Sequence, residues 1–116
     1  MKYMLLIYAQ ENGWTSLTPE QQSQGMAAYG AYTEALTAAG VRLASDRLRP
    51  IATATSVRVQ NGETKVLDGP YAESKEQLGG FYMIDVPDLD TALSWAARCP
   101  GAAYGTIEVR PIWDVY

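Results

Sequence analysis

Lys2-Tyr3-Met4-Leu5-Leu6-Ile7-Tyr8-Ala9 is an apolar run of strand length, rich in aromatic and branched side chains. Alternation is missing: Tyr3, Leu5 and Ile7 point one way, and Met4, Leu6 and Tyr8 the other. A strand that is apolar on both faces is a strand buried on both faces. Its length is far short of a bilayer span and no small-residue cleavage site follows, so it reads as neither membrane helix nor signal peptide.

Downstream, residues 10–17 read as a polar loop. Thr18 reads as a helix N-cap, with Pro19 at the first helical position and Gln21 placed to close a capping box. Met26, Tyr29, Tyr32, Leu36 and Ala39 make one apolar stripe, and Gly40 supplies the C-cap. Gly25 and Gly30 each weaken that helix by about 1 kcal/mol relative to Ala, which predicts close packing against the sheet. A second strand begins at Val41–Ala44 and bends near Arg47–Pro50. Ala54–Val59 and Thr64–Leu67 flank Asn61-Gly62, a hairpin signal because both central residues of a type I′ turn need positive φ. Gly80–Val86 is the next strand. Asp88 or Asp90 caps a second helix running to about Arg98, with Leu89, Leu93, Ala96 and Cys99 inward and Ala92 and Trp95 beside them. Thr106–Trp113 closes the chain as a strand.

The order is β-α-β, a hairpin, then β-α-β: the α+β, ferredoxin-like split βαβ plan with an inserted β-hairpin. Both helices then cover one face of an antiparallel sheet and leave the other bare. The two-faced first strand predicts a cover for that second face. A second copy of the chain, sheet against sheet, is the expected cover, making a homodimer with a cavity or seam between the sheets. A segment of the same chain folded over the open face is the alternative.

The chain has 116 residues, enough for a single domain over 1–116 with one core. Its net charge of −4 and scattered Lys and Arg argue against a nucleic-acid partner. Only Arg42, Arg47 and Arg49 lie near one another, and they suit an anionic small ligand or plain solubility. One cysteine, Cys99, excludes an internal disulfide and places the chain in a reducing cytoplasm. Cys99 reads as a buried apolar filler. With no histidine, Ser-His-Asp and Cys-His nucleophiles and imidazole zinc sites are excluded. Acid–base chemistry must fall to carboxylates, Lys, Tyr or water.

The chemistry-bearing run is Asp68–Gly80, DGPYAESKEQLGG. Asp68-Gly69-Pro70 is turn chemistry, and a carboxylate at a strand end also suits a cleft. Glu73 and Glu76 share a side if the segment coils into a helical turn, where paired carboxylates raise one pKa towards neutrality. Lys75 would oppose that shift or hold an anion. A divalent ion on Asp68, Glu73 and Glu76 fits no known metal loop, and no cofactor is called for. On the last strand Glu108 and Arg110 face away from Ile107 and Val109, towards the expected seam. Tyr3, Tyr8, Tyr71, Tyr82 and Trp113 are further candidates to line a cavity there.

These stretches carry a resemblance. KYMLLIY, LASDRLRPIATATSVRVQNGETKVLDGP, DGPYAESKEQLGGFYMIDVPDLDTALSWAARCP and IEVRPIW together resemble the DGPF group of the YCII-related family, with Tyr71 in place of Phe. The similarity covers nearly the whole chain. It implies a dimeric α/β-barrel domain of bacterial origin and, for some relatives, association with extracytoplasmic-function sigma factors. The wider YCII group has a suspected catalytic Asp–His pair, which a chain without histidine cannot carry. The motif matches at Asp68, Gly69, Pro70, Glu73, Lys75, Glu76, Gly79, Gly80, Glu108, Arg110 and Pro111.

Three functional readings follow. In the first, a cytoplasmic homodimer binds a small polar or anionic molecule between subunits and transforms it. Asp68, Glu73 and Glu76 act as acid–base groups, and Lys75, Arg110, Glu108 and Tyr71 bind the ligand. In the second, the chain is an accessory module for a protein partner such as a sigma factor and catalyses nothing. In the third, Glu73, Lys75, Glu76, Glu108 and Arg110 form an ion-pair network that locks the dimer.

Overall fold

The computed structural model describes residues 1–114, so the last two residues of the expected domain lie outside the described residues. The chain forms β1 (Lys2–Ala9), α1 (Glu11–Thr15), α2 (Pro19–Ala38), β2 (Arg42–Arg47), β3 (Thr55–Gln60), β4 (Glu63–Asp68), β5 (Gln77–Asp85), α3 (Leu89–Arg98) and β6 (Thr106–Pro111). β2, β5, β1 and β6 make an antiparallel four-stranded sheet in that order, and β3 pairs only with β4. With the hairpin set aside, this is the ferredoxin-like strand order. It gives a mixed α+β fold with few helices.

Local chemistry sets the element ends. Thr18 accepts from the Gln21 backbone N–H while the Gln21 side chain accepts from the Thr18 N–H, a closed capping box ahead of Pro19. Of the two aspartates proposed to cap α3, Asp88 does so, with Oδ1 accepting from Thr91 N at 2.8 Å. Hydrogen bonds from both the hydroxyl and the N–H of Thr91 hold this carboxyl below its ordinary pKa. Asn61 (φ 51°) and Gly62 (φ 78°) form the hairpin turn with the positive φ values that type I′ demands. Residues 10–17 are not all loop: Glu11–Thr15 coil into α1. Its Glu11 carboxylate accepts from Ile51 N at 2.8 Å, and its N-terminal N–H donates to the Gln77 side chain at 3.0 Å.

The core lies between the helices and one sheet face. Leu5, Leu36 and Ile84 are fully buried, each contributing about 1.5–3 kcal/mol of apolar transfer. Tyr32 packs edge-on to Tyr82 at 5.1 Å and to Trp95 at 6.3 Å, and donates to the Trp95 carbonyl at 2.7 Å. Burial raises the pKa of Tyr29, Tyr32, Tyr82 and the Cys99 thiol. Ala92, Ala96 and Cys99 are buried, whereas Leu89 and Leu93, expected inside, are exposed. Met26 of the α2 stripe is also exposed. Gly25 packs against Trp14 of α1 rather than the sheet, and Gly30 faces open space. Arg47 stacks on Trp14 at 4.8 Å while Arg42 bonds Thr37 and Ser45, so the arginines do not converge.

Among the described residues the other sheet face carries no helix. Register places Met4 beside Met83 and Arg110, Leu6 beside Phe81 and Glu108, and Tyr8 beside Leu78 and Thr106. The result is an apolar strip edged by a polar column on β6. The β3–β4 hairpin stands clear as an arm that touches no other element by more than marginal contact. Surface area registers this openness. The chain exposes 8217 Å², against about 6,200 Å² for a folded monomer of its mass. Its radius of gyration is 16.1 Å, against about 13 Å for a compact chain of this length. Among the described residues no helix is long and apolar enough to cross a membrane.

Candidate functional site

Where β1 ends and β5 and β6 begin, the strand ends and the segment entering β5 frame a shallow groove of about 570 Å³ that stands largely open to solvent. Tyr8, Gln10, Ser74, Lys75, Glu76, Thr106 and Glu108 line it. Tyr8, Thr106 and Glu108 come from the open face of adjacent strands. Ser74, Lys75 and Glu76 come from residues 69–76, which bend without coiling. Gln77 ties that segment down, its side chain donating to Ser74 O at 2.9 Å and accepting from Glu11 N. The Ser74 hydroxyl bonds the Glu76 carbonyl.

Glu76 is half-buried, and its Oε1 accepts from the Thr106 hydroxyl at 2.8 Å. That bond aims one carboxylate oxygen at β6 and leaves the other for a second donor. Lys75 and Glu108 are exposed on the same groove. Within one chain, none of Glu73, Lys75, Glu76, Glu108 and Arg110 forms an ion pair among the described residues; those present are Met1–Asp85 and Lys65–Glu63. The site therefore offers a fixed carboxylate, a second carboxylate, an uncommitted ammonium and a phenol. These groups suit binding a polar or anionic molecule and moving protons on it.

The structure thus brings together Lys75, Glu76 and Glu108 of the sequence-predicted residues, and Tyr8 of the aromatic candidates. It separates the others. Asp68 ends β4 at the base of the arm, opposite Thr55. Tyr71 is 79% exposed, beneath Arg58 at 5.9 Å. Glu73 is exposed and does not line the groove, because the expected helical turn that would align it with Glu76 does not form. Arg110 shares the face but lies two residues beyond Glu108, outside the groove lining. Tyr3 and Tyr82 are core residues, and Trp113 is exposed. Among the described residues no cluster of three His, Cys, Asp or Glu is arranged to hold a metal. Gln10, Ser74 and Thr106 were not foreseen. Thr106 was recoverable, since it stands two residues before Glu108 and so shares its face.

The YCII-related domain model matches residues 1–116. An uncharacterised protein of Rhizobium meliloti (strain 1021) is 39% identical over 114 residues, covering 97% of this chain and 92% of that protein. The 5-chloro-2-hydroxyhydroquinone dehydrochlorinase TftG of Burkholderia phenoliruptrix AC1100, solved in complex with 2,5-dihydroxybenzoquinone, superposes with a TM-score of 0.56. It is 15% identical, with 97% of this chain and 94% of that one covered, so it speaks to the fold alone. The family match spans the whole sequence: the chain belongs to the YCII-related family.

Proposed function

We propose that the chain is a cytoplasmic homodimer of the DGPF group that binds a small polar or anionic molecule in the groove at the strand ends. Acid–base chemistry there uses Glu76, with Lys75 holding negative charge on the ligand and Glu108 completing the polar wall. The observation that carries this reading is Glu76: a half-buried carboxylate oriented by Thr106 at 2.8 Å beside an ammonium that has no ion-pair partner among the described residues. A purely structural carboxylate here would be expected to pair with Lys75. The fold neighbour's bound quinone supports ring compounds bearing several oxygens as the class to try first. Asp68, Glu73 and Arg110 join the site only if a second subunit brings them to it.

The test is amide chemical-shift mapping against a panel of small ring compounds carrying oxyanions, 2,5-dihydroxybenzoquinone among them. Shifts should centre on residues 8–10, 74–76 and 106–108. Glu76→Gln and Lys75→Met should each weaken binding about tenfold, the worth of one charge-assisted hydrogen bond. Shifts centred elsewhere, or affinity indifferent to both substitutions, would sink the assignment.

A second reading, a non-catalytic module for a protein partner such as a sigma factor, draws on Leu89 and Leu93. They stand one helical turn apart and exposed on the outside of α3. Co-purification of a sigma factor that is lost on Leu93→Lys, with the groove variants unaffected, would favour it.

A further inference from the structure

We infer that the β3–β4 arm of one copy lies across the open sheet face of a second copy and supplies the missing wall of its groove. The inference rests on the dimer reading above and says how that dimer is built.

The arm cannot be at rest in water. Val57, Val59 and Val66 are 61%, 67% and 61% exposed, and the register puts Val57 opposite Val66 with Val59 on the same face. The opposite face carries Arg58, Lys65, Gln60 and Glu63, with Ser56 and the 57% exposed Leu67 nearer its base. Towards its tip the ribbon has one apolar side and one charged side. A lone two-stranded ribbon is marginal in water at best, so its apolar side needs a surface. Its own sheet does not supply one, since the arm makes only marginal contact with the other elements.

The surface area says how large the missing surface is. The excess over a folded monomer of this mass is about 2,000 Å², whereas a standard interface takes about 800 Å² from each partner. A contact confined to the two flat sheet faces would leave both arms in water. A two-fold arrangement in which each arm crosses the other copy's sheet covers both unpartnered surfaces at once, because each chain carries one of each. Placement agrees. The arm leaves the sheet at the end where Arg47 pairs with Gly80 and Tyr8 with Thr106, the end that holds the groove. Each arm strand has six residues, about 20 Å of reach, enough to span the partner's four strands at about 4.8 Å spacing. The groove's open side is then closed by the partner's arm.

The experiment uses full-length protein with Val59→p-benzoylphenylalanine, as an equal mixture of ¹⁴N and ¹⁵N copies refolded together, irradiated and mapped by mass spectrometry. Cross-links should join an arm of one isotope to residues 4–8, 78–83 or 106–110 of the other. Cross-links confined to one isotope, or joined to the helical side, overturn the inference. In parallel, Val57→Lys combined with Val66→Lys should weaken dimerisation at least tenfold by light scattering, with far-ultraviolet circular dichroism unchanged. A dimer as tight as wild type refutes the arm contact and leaves the dimer standing. A wild-type particle of 12.7 kDa at micromolar concentration refutes both. Should the double variant not fold, the cross-link map decides.

Discussion

Gly79 and Gly80 are adjacent in sequence but opposite in what they tolerate, and Ala substitutions at the two should separate cleanly. At Gly80 an added Cβ would stand 2.8 Å from the Asp46 carbonyl oxygen and 3.4 Å from Arg47 Cα. Both are backbone atoms of β2, so no side chain can rotate away. Relief to ordinary contact needs β2 to retreat by about 0.6 Å, stretching the β2–β5 ladder and the 2.8 Å bond from Leu48 N to Gly79 O. Overpacking of this kind costs about 1–3 kcal/mol. At roughly 4 °C per kcal/mol for a chain this size, Gly80→Ala should lower the melting temperature by about 4–12 °C. At Gly79 the nearest atom is Ile7 O at 3.9 Å, and its φ is not positive. Gly79→Ala should therefore be neutral or stabilise by about 0.4–1 kcal/mol through the unfolded chain. Urea titrations of the two variants against wild type measure the difference. A gap below about 0.5 kcal/mol, inside the error of such extrapolations, would show that β2 does not sit against β5 as described.

Stability should fall on the alkaline side. The folded state holds Tyr29, Tyr32 and Tyr82 protonated beyond their ordinary range, so it binds more protons than the unfolded chain once the pH passes about 10. Their contribution is complete below that pH and lost as pH rises further. Urea midpoints between pH 8 and 11 check it, and Tyr32→Phe should flatten the decline. Cys99 is 2% exposed with its thiol pushed up by burial, so it should react with a disulfide reagent only at the rate of opening; fast labelling of native protein would contradict its placement. Thr106→Val should leave the urea midpoint within about 0.5 kcal/mol, as an exposed hydroxyl permits. It should also weaken ligand binding several-fold, because Glu76 loses the donor that aims it; unchanged affinity would remove Thr106 from the site.

The sheet was legible because it rests on patterns the backbone cannot evade. An Asn-Gly turn and a Thr-Pro helix start each state a local requirement that the structure meets, and the apolar run of β1 forms its strand, with Tyr3 and Leu5 buried and Met4, Leu6 and Tyr8 only partly so. The face of α3 was not legible. Leu89 and Leu93 fit an inward stripe as well as Ala92 and Ala96 do. Which of them turns inward is settled by packing against other elements, which buries Ala92 and Ala96 and leaves both leucines exposed. The site split for a similar reason. Glu108 followed from strand alternation. The pairing of Glu73 with Glu76 assumed a helical turn, and the bonds from the Gln77 side chain to Ser74 O and from Glu11 N to the Gln77 side chain hold that segment bent instead.

The run Asp68–Gly80 therefore does two jobs that its sequence blends. Its first half is a joint. Gly69 has φ +106°, a conformation that side chains other than Gly rarely adopt. Its N–H donates to Ala54 O at 2.7 Å, and its carbonyl accepts from Ser56 at 2.7 Å. Those bonds tie the two sides of the arm together at its base. Its second half is a wall, with Ser74, Lys75 and Glu76 lining the groove. Space around Gly69 is open, so a side chain there strains the backbone without a clash and loosens the bonded base from which the arm projects. If the arm closes a partner's groove, Gly69→Ala should reduce both dimer affinity and ligand binding while every groove residue keeps its identity. Loss of binding in the groove variants alone, with Gly69→Ala silent in both assays, would mean that joint and wall are neighbours in sequence but not partners in function.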